Sequence, residues 1–145
     1  MTSTGLPAPR RDLESAFYWD GLAQRQLLLQ RCDHCAKVRF PPMPGCCYCG
    51  RDGHGVIAAS GAGMLYSWVV VHHAFDAALA DEVPYAVGVI ELAEGCRLAA
   101  RLADHRGLRS GLPFELYYVE HADWVEARFR RVDSQCADQH KGAQP

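Results

Sequence analysis

Five of the chain's seven cysteines lie between Arg31 and Gly50, in RCDHCAKVRFPPMPGCCYCG. Cys32 and Cys35 form one C-x-x-C pair, Cys46 and Cys49 a second, and ten residues separate the pairs. Each pair can turn tightly enough to aim two sulfurs at one point, and two facing turns supply a tetrahedral four-sulfur site, the geometry of structural Zn²⁺. Rubredoxin-like iron would accept the same ligands, so spacing alone leaves the metal open. A closed four-thiolate site has no free position for substrate, which makes this a centre that holds structure. Gly50, directly after the second pair, gives the backbone the freedom to turn amides toward the sulfurs; the equivalent place after the first pair is Ala36. Arg31, Lys37 and Arg39 flank the thiolates and are expected to offset their charge. Cys47 is read as a spectator that could replace Cys46. Neither Cys96 nor Cys136 has a recognisable partner base of the kind a nucleophilic thiol needs.

The elements that must carry this cluster can be placed from pattern. Residues 1–25 are expected to hold a helix over Asp12–Arg25, broken or bent near Gly21. In it Phe17, Tyr18 and Trp19 are consecutive and fan over about 200° of helix surface. One small domain can hardly cover all three, so they are assigned to a partner interface. Residues 26–60 form the metal ribbon, with short strands near Leu27–Arg31 and Val38–Phe40. Residues 61–131 read as five strands, at 63–73, 85–92, 96–102, 114–120 and 124–131, with Ala93-Glu94-Gly95 turning the second into the third. Five short strands without an intervening helix fit a small closed barrel, and five-stranded Greek-key closure is the OB-fold. Residues 132–145 are expected to be a flexible tail.

Composition restricts the partners. The 145 residues are 49% hydrophobic and 22% charged, with a net charge of −2, as in a globular protein with a real core. Residues 61–145 carry eight Lys/Arg against twelve Asp/Glu, a net of −4, whereas a nucleic-acid-binding barrel needs a positive track. No nucleic acid and no membrane are therefore expected. The first residues lack an apolar leader, and clustered thiols suit a reducing compartment, so a cytoplasmic location is expected. No G-x-S-x-G or H-E-x-x-H motif occurs.

The stretches FYWDGLAQRQLLLQRCDHCAKVRFPPMPGCCYCG, GAGMLYSWVVVHH, EVPYAVGVIEL, RLAARL and GLPFELYY resemble, in order and spacing, the DUF35 family of acyl-CoA-associated zinc-ribbon/OB-fold proteins. The likeness runs from about Phe17 to Arg131. Ala36 in place of the usual Gly, the doubled Cys46-Cys47 and the Arg128–Arg131 end depart from the family pattern. The resemblance implies a mainly β fold: an N-terminal helix, a rubredoxin-like zinc ribbon, then the five-stranded OB barrel. It implies structural Zn²⁺ on Cys32, Cys35, Cys46 and Cys49, and a non-catalytic subunit that docks on a thiolase-fold enzyme, with a hydratase or synthase as the alternative partner. A CoA thioester would be the ligand of the complex. Candidate contacts to it are Trp68 and His72 on one face of the first barrel strand, His73 and Phe75 after it, and Arg97 and Arg101 on one face of the third.

Overall fold

The computed structural model describes residues 6–133. A short helix, α1 (Ala16–Ala23), leads into a ribbon of three strands: β1 (Leu28–Cys32), β2 (Val38–Arg39) and β3 (His54–Ala58). The barrel strands follow as β4 (Ala62–Val71), β5 (Tyr85–Leu92), β6 (Arg97–Arg101), β7 (Pro113–Glu120) and β8 (Val125–Arg131). The ribbon sheet has the order β2-β1-β3 and the barrel sheet β6-β5-β4-β7-β8. Every named pair is antiparallel, and a parallel bridge between Leu102 and Phe129 joins the β6 end to β8 and closes the barrel. That circuit is the five-stranded OB arrangement. The expected tail lies, apart from Val132 and Asp133, outside the described residues, as does Cys136.

The helix starts four residues later than its sequence pattern suggests. Asp12 accepts hydrogen bonds from the Ser15 backbone N–H at 2.8 Å and from its hydroxyl at 2.5 Å, and this side-chain turn takes the backbone groups a helix would use. Nor does Gly21 break the helix. It is the point where α1 touches β1: a Cβ there would stand 2.7 Å from Leu28 Cγ and 2.8 Å from the Gln26 carbonyl oxygen.

One apolar cluster runs through all three parts. Tyr18 and Leu22 from α1 and Leu27 and Leu29 from the ribbon pack with Leu65, Ile90, Leu98, Phe114 and Phe129 of the barrel. Alternation along β5 and β6 sends Ala86, Ile90, Leu98 and Ala100 inward. β4 changes parity part-way. Leu65 pairs with Ile90 but Ser67 pairs with Val89, so Tyr66 is an extra, bulged residue. Leu65 points inward before the bulge, and Trp68 and Val70 after it.

Gly21→Ala is expected to lower stability by about 1–3 kcal/mol through overpacking. That exceeds the roughly 1 kcal/mol a helical alanine would gain. Urea unfolding followed by tryptophan fluorescence measures the difference.

Candidate metal centre and ligand-facing surfaces

The β1–β2 turn and the loop before β3 bring the sulfurs of Cys32, Cys35, Cys46 and Cys49 within 4.8 Å of one another. Cys32 and Cys49 are 3.6 Å apart, as are Cys35 and Cys46. A Zn–S bond of about 2.3 Å in a tetrahedron requires sulfurs about 3.8 Å apart, so the four residues fit the ion. Cys47 is exposed and outside the cluster, which resolves the choice between it and the buried Cys46.

The two turns repeat one backbone design. In the first, Cys32 N–H donates to the Lys37 carbonyl at 3.0 Å and Ala36 N–H to the Cys32 carbonyl at 3.1 Å. In the second, Cys46 N–H donates to the Arg51 carbonyl and Gly50 N–H to the Cys46 carbonyl, both at 2.9 Å. Ala36 and Gly50 take the same left-handed conformation, φ 60° and 73°. The alanine carries the strain that the glycine avoids.

Amides and sulfurs together divide the thiols. The backbone N–H groups of Cys49 and Tyr48 lower Cys46 to about 6 despite its burial. Those of Cys35 and His34 lower Cys32 likewise. At Cys35 the Lys37 amide also favours the thiolate, but burial and the neighbouring sulfurs outweigh it and push the thiol up to about 11. A cation supplies what the crowded cluster lacks, since it lets all four sulfurs ionise together.

The flanking cations divide differently from the expectation. Arg31 lies beside Cys32 and Asp33 in an open groove, and Lys37 Nζ sits 4.6 Å from the centre of the Tyr48 ring. Arg39 is buried and tied elsewhere: its Nε donates to Gln30 Oε1 at 2.9 Å and its Nη2 to the Met43 carbonyl at 3.2 Å. It joins β2 to β1 and to the chain leading to the second turn.

The ligand candidates separate into three places. Trp68 packs against the core. His72 and His73 are exposed beyond the end of β4, with His73 edge-on to Phe75 at 5.2 Å. Arg97 and Arg101 lie on the outer face, stacked over Tyr66 at 3.6 Å and Tyr85 at 4.3 Å, and paired with Glu91 at 3.0 Å and Glu82 at 2.5 Å. Trp68 therefore does not meet the arginines. The Tyr66 bulge sets its parity, and the wall of the barrel stands between them.

The chain itself covers more of the ring fan than its sequence suggests. Tyr18 is 9% exposed, while Phe17 and Trp19 are half-buried and packed on the core. Helix α1 sits between ribbon and barrel, so Phe40 covers Tyr18 from one side at 5.4 Å and Trp124 meets Trp19 from the other at 6.1 Å. Sequence reasoning missed a further cluster beside it. His121 stacks on Trp124 at 4.3 Å and shares the Glu126 carboxylate with Arg128, at 2.8 Å each. Its members lie within eight residues around the β7–β8 turn, closed by the His121 N–H donating to the Trp124 carbonyl at 2.9 Å, so the hairpin spacing could have found them.

Comparison with known proteins supports this geometry. Residues 19–55 match the model described as the rubredoxin-like zinc ribbon domain of ChsH2, and residues 56–119 match the C-terminal OB-fold domain of ChsH2. A DUF35 domain-containing scaffold protein of Methanocaldococcus jannaschii is 33% identical over 130 residues, which is 88% of this chain and 85% of the relative. The chain belongs to the DUF35 family. This DUF35 chain is also 37% identical over 123 residues, 83% of its length, to a probable enoyl-CoA hydratase alpha subunit of Thermomonospora curvata, of which it spans only 36%. Among solved structures it resembles a chain of the Ltp2-ChsH2(DUF35) aldolase, with a TM-score of 0.77 and 34% identity, over 86% of this chain and 98% of that one.

The DUF35 chain is expected to purify with about one Zn²⁺. Elemental analysis should find it lost in Cys35→Ser and kept in Cys47→Ser. Ala36→Gly should stabilise the zinc-loaded protein by about 0.5–1 kcal/mol, since relief of about 1–2 kcal/mol of left-handed strain is partly offset by a freer unfolded chain.

Proposed function

We propose that this chain is a non-catalytic, zinc-bearing subunit of an acyl-CoA enzyme whose catalytic subunit has a thiolase fold. The reaction would be thiolytic or retro-aldol C–C cleavage of an acyl-CoA in a degradation pathway. The observation that carries the reading is the match along 98% of a chain of the Ltp2-ChsH2(DUF35) aldolase, at 34% identity. The four-sulfur centre is consistent with a supporting role, because closed coordination leaves the metal no position for substrate. The residues assigned to the acyl-CoA side of the complex are the outward-facing His72, His73, Phe75, Arg97 and Arg101. The half-exposed edges of Phe17 and Trp19 offer a minor contact to the partner.

A hydratase partner is the second reading, favoured by the likeness to the hydratase alpha subunit. Nucleic acid is disfavoured by the surface. Among the described residues, Arg97, Arg101, Arg128 and Arg130 on the barrel's outer faces each pair with a carboxylate, so these four are not free to form a track for phosphates. Among the described residues no helix is long and apolar enough to cross a membrane.

Pairwise co-expression with the thiolase-fold and hydratase-fold subunits of the source genome tests the reading. The chain should co-purify at fixed stoichiometry with a thiolase-fold subunit. A monodisperse monomer that retains none of them would refute it.

A further inference from the structure

The two halves of the barrel treat their outer faces differently. On β7 and β8 the outward positions form ion pairs, Glu115 with Arg130 across the strands and Glu126 with Arg128 along β8 and with His121 of the turn. On β4 and β5 the centre of the outer face is apolar, with Val69, Val87 and Val89, and the Glu91–Arg97 ion pair lies at its margin. Val69 is 61% exposed and faces Val87, and Ser67 faces Val89. Val87 and Val89 in turn face Arg101 and Ala99 on β6. Met64 and the bulged Tyr66, both about half exposed, border this patch at one end. At the other end Val71 faces Tyr85, and between these two residues runs the loop 72–84. The loop is tied to the face through Glu82 and Arg101, and it projects Phe75 at 84% exposure.

An apolar centre ringed by tyrosines and arginines has the composition of a protein interface. The face of the second and third strands of an OB barrel, here β5 and β6, and the loop after its first strand are also the region where this fold meets its ligands. Area decides between occupants. Three strands about 4.8 Å apart and about eight residues long present roughly 350 Å². A second copy laid face to face would then bury about 700 Å² in total, the size of an adventitious contact rather than of the roughly 1,600 Å² of a stable interface. The occupant must be a larger partner that covers the sheet face and encloses the loop together.

We propose that the outer face of β4–β5–β6, with Phe75 as its anchor, is the surface on which the catalytic acyl-CoA enzyme subunit docks. The partner is expected to present an apolar, uncharged surface to the valines and an apolar pocket to Phe75. This inference rests on the accessory-subunit reading above, locates its interface, and gives Phe75 to the enzyme subunit in place of the acyl-CoA.

The test uses the zinc-loaded full chain and the subunit it retains on co-expression. Val69→Lys and Phe75→Ala alter exposed side chains and should leave zinc content and melting temperature unchanged. Each should weaken the complex at least tenfold by biolayer interferometry. In hydrogen exchange the complex should protect residues 72–84 more strongly than α1. Retained enzyme with unaltered affinity in both variants, or protection confined to α1, would overturn this surface while leaving the accessory role intact. Failure of the wild-type chain to retain any acyl-CoA enzyme overturns both. A homodimer broken by Val69→Lys would assign the face to a second copy and contradict the proposal.

Discussion

Four thiols held within 4.8 Å can all ionise only around a cation, and the ribbon's geometry depends on that condition. The centre fixes both turns, and the turns fix β1. β1 then delivers Leu27 and Leu29 into the cluster shared by helix and barrel. Arg39 reinforces the pairing of β2 with the middle of β1 through Gln30, and holds the following chain through the Met43 carbonyl. A metal at this centre would act at a distance from the core, by holding in register a segment whose apolar residues Leu27 and Leu29 pack elsewhere. Structural Zn²⁺ binding is worth about 10–16 kcal/mol in small ribbons, enough to outweigh the strain of Ala36 many times over.

The barrel has a different logic. Its inner face is settled by alternation, and the bulge at Tyr66 lets one ten-residue strand serve both ends of the core. The same parity change brings Val69 onto the outside, in line with Val87. A strand that changes parity exposes apolar side chains that an unbroken alternation would have covered. Their persistence on the surface beside well-paired arginines fits a protein that works as part of a larger assembly.

Much of this was legible from residue order. The five barrel strands begin and end within two residues of their sequence pattern, because β-branched and aromatic runs are bounded by Gly, Pro and polar turns. The four ligands were legible because sulfur spacing is a local property. What escaped was non-local. β3, HGVIA, is exposed on both sides over most of its length and shows no alternation to read. The burial of Tyr18 depends on Phe40, and the packing of Trp19 on Trp124, which lies a hundred residues away in sequence. Trp68 shares a strand face with His72 in the sequence, and only the strand pairing shows that this face turns inward at Trp68. Arg39 looked like a counter-ion to the thiolates and is instead a buried cross-link between strands.

The central claim is that the chain supplies structure to an acyl-CoA enzyme and not chemistry. Steady-state turnover of an acyl-CoA panel by the zinc-loaded chain, by its enzyme subunit and by their mixture tests it most directly. The account predicts no turnover by the chain, little by the enzyme subunit alone, and full activity in the mixture. Turnover by the chain alone at the rate of the mixture would contradict it.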